Sequence, residues 1–272
     1  MPVLVTGAHR PLARRIATAL LELGGEVRAH GPGDLHALKA AGAIAAHGDG
    51  DDEGHLDASL AQVHTAVHVG RGAFAPSAET LVVEAATLAQ AATNAGIARI
   101  VALSSPGADP EAPDPLRAAC GQVERVLAAC PVPSVVVRTS LVDTPATRDA
   151  FATAGLSAEE RRTPVAPVRI DDVVRLVVAF DDLRGSASTG HAVFVADGPA
   201  PVTLDEHLAA VGASGRPGSG SLVGRRALDP ARVPLLLPSL HGPWTNAEVP
   251  DGYPDAWDFT GVTPRPPSVP GG

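Results

Sequence analysis

The sequence is poor in several residues on which chemistry often depends. Its 272 residues contain one tyrosine, two cysteines and a single lysine, Lys39, so lysine chemistry has one candidate. The cysteines, Cys120 and Cys130, are too few for a disulfide framework and suit a reducing compartment. No apolar run approaches the length of a membrane span, and no charged leader precedes the first apolar segment. We therefore expect a cytoplasmic protein without a membrane anchor.

Positive charge is also scarce. Lysine and arginine number 21 against 30 acidic residues, which gives a net charge of −9, and no basic cluster interrupts the chain. A nucleic acid or an anionic membrane surface is therefore not expected as a partner. No metal site is predicted, because His64 and His68 stand four apart in a strand pattern and the acidic stretch 49–57 lacks the spacing of a calcium loop. The expected partner is a small-molecule substrate.

The first fifteen residues carry the strongest local pattern. Residues 2–5 form an apolar run typical of a buried parallel strand, and this run ends at Thr6 and Gly7. Helical spacing begins at Pro11, a residue suited to the first turn of a helix. A strand, a tight turn and a helix N-terminus together predict an anion site, where backbone N–H groups would face the pyrophosphate of a dinucleotide.

Strand and helix patterns then alternate along the chain. Parallel strands are predicted at residues 2–5, 26–30, 43–45, 65–69, 99–103, 133–138 and 191–196. This alternation predicts an α/β fold, a Rossmann-like doubly wound parallel sheet with a small C-terminal region on the substrate side. We expect residues 1–140 to form a dinucleotide-binding core and residues 141–272 to complete the sheet and form the substrate pocket, within one structural unit. The sequence predicts a mobile segment at 144–164 and a flexible linker at 212–220.

The aromatic residues of this aromatic-poor chain gather in its C-terminal part. Trp244 and Trp257 either fix this part onto the body of the fold or line a pocket beside it. Arg71 and Arg138 lie at the ends of predicted parallel strands, and ligands gather at that edge of such a sheet. We therefore predict these two arginines and two tryptophans as substrate residues, although Arg138 could equally anchor an acid within the fold.

Several segments resemble the short-chain dehydrogenase/reductase superfamily, above all its extended and atypical branches, which include NmrA-like proteins and relatives of nucleotide-sugar epimerases. The likeness covers about residues 2–200 and rests on Val3-Leu4-Val5-Thr6-Gly7-Ala8, Gly48-Asp49, Ala66-Val67-His68-Val69, Ile100-Val101-Ala102-Leu103-Ser104-Ser105 and Ile170-Asp171-Asp172-Val173. The resemblance implies a nicotinamide dinucleotide at the carboxyl edge of the sheet. The residues that it implies for cofactor binding are Thr6, Gly7, His9, Arg10, Pro11, Leu12, His30, Asp49, Gly50, Val69, Gly70, Leu103, Ser104 and Leu141.

The glycine-rich turn of that family is only partly present. Thr6 and Gly7 remain, whereas Arg10, Pro11 and Ala13 stand where further glycines would let the backbone approach the pyrophosphate. In NADP-preferring relatives a basic residue at the position of Arg10 holds the 2′-phosphate, so the resemblance favours NADP. NAD, or no cofactor at all, stays open as an alternative.

The proton relay of the family is missing. Counted from Glu124, its Tyr-x-x-x-Lys positions hold Leu116 and Cys120. Ser105 fits the family's catalytic serine, and it could equally be a serine that caps the turn. Tyr253 is the only phenol in the chain, so we predict Ser105 and Tyr253 as catalytic residues.

The leading hypothesis is an atypical short-chain-dehydrogenase-like enzyme, an NADP(H)-dependent oxidoreductase that acts on a small organic molecule of bacterial secondary metabolism. A second hypothesis is a non-redox isomerase, cyclase, dehydratase or epimerase that uses the same pocket with a structural cofactor or none. A third is an NmrA-like, non-catalytic NAD(P) sensor that binds a partner protein. Helices 78–95 and 115–129 could pair across a homodimer, as they do in relatives of this family.

Overall fold

The computed structural model of the chain describes residues 1–70, 75, 77–153, 156–183, 190–212, 244–246 and 252–266. The predicted substrate residue Arg71 and nearly all of the predicted linker 212–220 lie outside these residues. The described strands are β1 (Val3–Val5), β2 (Val27–His30), β3 (Ile44–Ala46), β4 (Thr65–His68), β5 (Arg99–Ser104), β6 (Ser134–Thr139), β7 (Val142–Asp143), β8 (Pro164–Val165), β9 (Val168–Arg169), β10 (His191–Ala196) and β11 (Val202–Thr203). The described helices are α1 (Pro11–Glu22), α2 (His36–Ala40), α3 (Glu53–Leu60), α4 (Ala78–Ala95), α5 (Pro115–Ala129), α6 (Pro145–Thr153), α7 (Ile170–Asp182), α8 (Leu204–Ala210) and α9 (Ala256–Thr260).

Seven of these strands form the central sheet, in the order β10-β6-β5-β4-β1-β2-β3. Every pairing between them is parallel. The predicted α/β fold with a doubly wound parallel sheet is therefore confirmed. The chain runs outward from β1 to β3, then returns to β4 on the other side of β1 and continues outward to β10. The carboxyl ends of β1 and β4 thus flank the point where the strand order reverses, which is where such sheets bind ligands.

The sheet is buried on both faces, which explains why its strands read as apolar runs rather than as alternating patterns. Along β1, Leu4 packs into a core with α3, α4 and α5, whereas Val3 and Val5 pack into a second core with α1, α2 and α7. The strand β6 behaves in the same way, with Val136 in the first core and Val135 in the second. Because both faces are covered, a ligand must approach the sheet along an edge or at its strand ends.

Within residues 144–164, where the sequence predicted no regular element, the chain forms the helix α6. The Thr144 hydroxyl accepts a hydrogen bond from the N–H of Thr147 at 3.1 Å, and Pro145 occupies the first helical position. A hydroxyl cap followed by proline is a strong start signal for a helix. The prediction missed it because the segment has few apolar residues at helical spacing.

The C-terminal residues 252–266 pack onto the body of the fold. The N–H of Val195 in β10 donates to the carbonyl of Pro254 at 3.1 Å, so the tail continues the hydrogen bonding of the sheet at this point. Asp255 caps α9 by accepting from the N–H groups of Trp257 and Asp258. The Trp257 ring is buried, and its Nε1–H donates to the carbonyl of Asp197 at 2.8 Å.

Asp172 holds the end of this tail. Its carboxylate is fully buried and accepts from Arg175 Nη2 at 2.7 Å, from Arg265 Nε at 2.8 Å and from the Arg265 N–H at 2.6 Å. Burial alone would raise the pKa of this carboxyl group, but the hydrogen bonds from Arg175 and Arg265 outweigh it and hold the pKa below its ordinary value. A buried carboxylate on the first turn of α7 therefore fixes residues that lie about 90 positions later in the sequence.

Replacing Asp172 by asparagine should destabilise the protein by about 2 kcal/mol, because charged hydrogen bonds to two guanidinium groups are lost while the shape is kept. Asp171 is the matched control, since it lies next in the chain and pairs with Arg15 on the surface. D171N should change the free energy of unfolding by less than about 1 kcal/mol. Urea unfolding followed by tryptophan fluorescence measures both values. Equal effects of the two substitutions would contradict the assignment of Asp172 as the clamp.

Candidate functional site

A crevice lies at the carboxyl ends of β1, β2 and β4, where the strand order reverses. Gly7 and Gly70 follow β1 and β4 in the left-handed region, with φ of +63° and +60°, so each strand ends in a tight turn. The cavity in this crevice has a volume of about 20 Å³. Its lining combines predicted cofactor residues with residues that were not predicted: Thr6, Gly7, His9, Arg10, His30, Gly31, Pro32, Gly50, Leu56, His68, Gly70, Glu84 and Leu88.

The other predicted cofactor residues lie around this crevice or farther along the same sheet edge. Pro11 and Leu12 form the first turn of α1, and Pro11 lines an adjoining groove. Asp49 and Val69 precede the lining residues Gly50 and Gly70. Three predicted residues lie at the ends of β5 and β6 and do not line this cavity: Leu103, Ser104 and Leu141.

The N-terminus of α1 faces the crevice without a side-chain cap. Arg10 is the N-cap residue, but its side chain makes no capping bond. Its Nη1 instead donates to the carbonyl of Gly70 at 2.8 Å and so joins the turns after β1 and β4. The N–H groups of Leu12 and Ala13, in the first turn, have no acceptor within the helix. A guanidinium group and a helix N-terminus therefore meet at the same place.

His9 packs against the loop that follows β2. A Cβ atom on Gly31 would lie 2.5 Å from His9 Nδ1, and one on Gly33 would lie 2.7 Å from the His9 ring, so this contact requires glycine at both positions. Arg14 lies beside the same loop, where its Nη2 donates to the carbonyls of His9 at 3.0 Å and Asp34 at 3.2 Å. Sequence reasoning missed Arg14, because only the helical spacing from Arg10 places it near β2.

Two buried histidines lie inside the crevice. His68, predicted to be a core histidine, is buried with its Nδ1 3.1 Å from Thr6 Oγ1, yet its ring also lines the cavity. Burial, helped by the charge of Arg10, lowers the pKa of His68 to about 4. Burial also lowers the pKa of His30 to about 4, together with the nearby ring of His55. Both imidazoles are therefore neutral at neutral pH.

These groups match the pyrophosphate end of a dinucleotide. Arg10 supplies a guanidinium group, the first turn of α1 supplies N–H donors, and Gly7 keeps side-chain bulk away from the turn. A cavity of about 20 Å³ holds roughly one water molecule, so a dinucleotide has to displace the His9 and Arg10 side chains. Both residues are half-buried on the turn after β1, and this displacement breaks the hydrogen bond of Arg10 to Gly70 and the packing of His9 on Gly31.

A buried polar network occupies the ends of β5 and β6. Arg138 donates to both carboxylate oxygens of Glu124, from Nε at 3.0 Å and from Nη2 at 2.8 Å, and also to the carbonyl of Ala108. Ser104 Oγ donates to the same carboxylate at 2.6 Å. Arg138 thus anchors an acid inside the fold, as one of the two sequence hypotheses expected.

Tyr253 lies against this network, with the Arg138 guanidinium 4.7 Å from the centre of its ring. It lines an open cleft of about 680 Å³ between α5 and β10, to which Arg138, Arg125 and His191 also contribute. Ser105, the other predicted catalytic residue, is not among the residues that line this cleft, and its Oγ donates to the carbonyl of Pro106 at 3.3 Å.

Both tryptophans predicted as substrate residues are buried. Trp244 is 5% exposed, and the Arg117 guanidinium lies 5.5 Å from its ring centre. Trp257 is 7% exposed and belongs to the core between the sheet and α7. Both rings pack onto the body of the fold, which is the first of the two roles that the sequence left open for them. A contact of either ring with substrate stays a prediction.

No protein-family model matches the chain, and no curated protein matches it. Solved structures do match. A nucleoside-diphosphate-sugar epimerase from Staphylococcus aureus has a TM-score of 0.74 at 15% identity over 98% of each chain. The triphenylmethane reductase of Citrobacter sp. complexed with NADP(H) has a TM-score of 0.62 at 18% identity, over 76% of this chain and 73% of that one.

A short-chain dehydrogenase/reductase superfamily protein from Agrobacterium tumefaciens with bound NAD has a TM-score of 0.59 at 18% identity, over 78% of this chain and 82% of that one. The chain shares the Rossmann-like fold of these proteins. The resemblance predicted from the sequence is thereby confirmed at the level of fold. In the described part of the chain, no helix combines the length and the apolar character needed to cross a bilayer.

The family's relay positions carry no group suited to proton transfer. Leu116 is buried, and Cys120, four residues later, is buried close to Ser104 and Ser105. Burial raises the pKa of the Cys120 thiol to about 11, so the thiol stays protonated at neutral pH. The relay is therefore replaced by apolar packing and a neutral thiol.

Thiol titration at about pH 8 should distinguish the two cysteines, because only a thiolate reacts with a disulfide reagent. We expect one fast-reacting thiol per folded chain, Cys130, which is partly exposed, and a second only after unfolding. C130S should abolish the fast reaction, and C120S should retain it. A fast reaction of Cys120 in the folded C130S protein would contradict a protonated, buried thiol at the relay position.

Proposed function

We propose that this chain is an atypical short-chain-dehydrogenase-type enzyme that binds NADP(H) and transfers a hydride to or from a small organic molecule. The observation that carries the proposal is the crevice where Arg10 and the uncapped N-terminus of α1 meet at the carboxyl ends of β1 and β4. Solved structures of this fold contain NADP(H) or NAD. A nicotinamide cofactor, when bound, would supply or accept the hydride.

Within this proposal, Arg10 and the first turn of α1 hold the pyrophosphate. The guanidinium of Arg10 points to the turn after β4 and that of Arg14 lies beside the loop after β2. The adenosine ribose lies beside the loop after β2 in dinucleotide-binding folds. Arg14 is therefore the better placed of the two to neutralise a 2′-phosphate, which supports NADP over NAD.

On the substrate side, we propose that Ser105 orients the reacting oxygen and that the Tyr253 phenol handles the proton. Tyr253 has the Arg138 guanidinium on one face of its ring and is 38% exposed, so it is accessible from the cleft. Arg71, Trp244 and Trp257 remain predicted substrate residues. The pairing of two copies through α4 and α5 likewise remains a proposal.

The non-redox alternatives rest on one observation, the replacement of the relay by Leu116 and the protonated thiol of Cys120. An isomerase, cyclase, dehydratase or epimerase needs no hydride relay at these positions, and neither does an NmrA-like sensor. Cofactor binding separates the first proposal from a cofactor-free enzyme, and turnover separates an enzyme from a sensor.

Calorimetric titration with NADPH, NADP⁺, NADH and NAD⁺ tests the cofactor site. We expect NADPH to bind in the micromolar range and R10A to weaken its binding about tenfold or more, because a charge-assisted hydrogen bond contributes about 1.5–3 kcal/mol. The matched control is R15A, which removes an arginine of the same helix that pairs with Asp171 at the surface. R15A should stay within about twofold of the wild type. An absence of heat with every dinucleotide would contradict the proposal and favour a cofactor-free enzyme.

Turnover of NADPH with a panel of ketones and enones tests the reaction. Y253F should lower kcat by about 10²-fold or more, because general acid catalysis contributes about that much, whereas NADPH affinity should not change. S105A should lower kcat/KM through the loss of one hydrogen bond to the reacting oxygen. Binding of NADPH without consumption of any substrate would favour the sensor. Unchanged rates in Y253F and S105A would remove these residues from the chemistry.

A further inference from the structure

His30, the last residue of β2, is a buried polar side chain that faces the crevice. It is 1% exposed, and its ring lines the cavity. Among the described residues, its Nε2 atom has no hydrogen-bond partner. Buried polar groups of side chains are nearly always paired, so an imidazole nitrogen left over at the wall of a ligand crevice points to a ligand atom as its partner.

Each element that packs against His30 contributes a charged or titratable group near its ring. His55 of α3 has its ring centre 5.9 Å from that of His30, and His9 faces it from the turn after β1. Asp49 and Asp52 lie in the loop before α3 and favour a charged imidazole, whereas the two histidines disfavour it. Three further titratable groups line the same cavity: Arg10, His68 and Glu84.

The place of His30 in the fold decides which ligand atom it meets. In dinucleotide-binding folds the end of the second strand faces the adenosine ribose, where a carboxylate selects the 2′-hydroxyl and a cation selects the 2′-phosphate. An imidazole can serve either group, since it donates and accepts when neutral and only donates when charged. His30 therefore occupies the position that reads the 2′-substituent.

We propose, on the basis of the proposed function, that His30 reads the 2′-substituent beside Arg14 and takes up a proton when a 2′-phosphate binds. NADP(H) affinity is then coupled to pH, whereas NAD(H) affinity is not. The acidic neighbours Asp49 and Asp52 assist the charged form. A phosphate dianion beside the ring adds a charge-assisted hydrogen bond that the free protein does not have.

The sign of the pH effect follows from linkage. In the free protein burial holds the pKa of His30 at about 4, so the ring is neutral at neutral pH. A bound 2′-phosphate raises that pKa, because it favours the imidazolium. Between the free and the bound pKa, NADP⁺ affinity rises up to about tenfold for each pH unit that the pH falls. The affinity levels off above the bound pKa, where the ring is neutral in both states.

The test is calorimetric titration of the full chain with NADP⁺ and with NAD⁺, each at about pH 7 in two buffers of different ionisation enthalpy. We expect net uptake of up to about one proton with NADP⁺ and none with NAD⁺. A repeat from about pH 8 down to about pH 6.5 should show a rising affinity for NADP⁺ and a flat one for NAD⁺.

Two variants assign the effect to a residue. H30N keeps a polar group but cannot titrate, so it should abolish the proton uptake, flatten the pH dependence and weaken NADP⁺ about tenfold, with NAD⁺ within about twofold. The control is H64N, because His64 precedes β4 at the opposite edge of the sheet. H64N should keep the wild-type proton uptake.

Three outcomes would overturn the inference. Equal proton uptake with NADP⁺ and NAD⁺ in the wild type would do so without any variant, which keeps the test decisive if H30N fails to fold. Proton uptake that persists in H30N would assign it to another group. Absence of binding by either dinucleotide would overturn the proposed function itself, and the inference with it.

Discussion

The parallel pairing of β1 with both β2 and β4 is the constraint on which the rest of the site depends. Val3 lies level with Val27 on one side and with Thr65 on the other, so the three strands end at the same edge. The strand pairing alone therefore brings together the residues that follow β1, β2 and β4, and no contact between their side chains is required for this. Because the strand order reverses here, no crossover connection covers this edge, and the turn that holds His9 and Arg10 faces the ends of both neighbours.

Buried carboxylates fasten the later part of the chain to this sheet. Glu124 on α5 binds Arg138 on β6 through both oxygens, and Asp172 binds Arg265 of the tail. Burial alone would raise the pKa of the Asp143 carboxyl group. Its contacts with Arg148 and with the buried His207 outweigh burial and lower this pKa to about 2. Each acid is paired with a guanidinium group, which is the usual condition for burying a charge. These acids therefore hold elements in place, and the lowered pKa values of Asp143 and Asp172 keep those two carboxylates ionised at neutral pH.

The sequence predicted the strands well and the side-chain contacts poorly, for physical reasons. A parallel strand covered on both faces is an uninterrupted apolar run, so the local sequence is enough to locate it. The packing of the His9 ring on Gly31 depends on how two separate turns meet, and no local pattern encodes it. The same is true of Arg14, which reaches the β2 loop only because α1 leaves the turn at one particular angle. Sequence spacing found the candidate residues of the crevice but could not decide which of them face each other.

The docking of the tail onto β10 has a consequence for how copies of the chain meet. A strand at the border of a sheet exposes unpaired N–H and C=O groups, which invite another strand to add to it. Here the carbonyl of Pro254 accepts a hydrogen bond from the N–H of Val195, and Asp255 forms a β-bridge with Val195. The tail thus blocks the addition of another strand to the edge of the sheet at this point. Without residues 252–266, the N–H of Val195 at this edge of the sheet would be left unpaired and open to pairing with a strand of another copy.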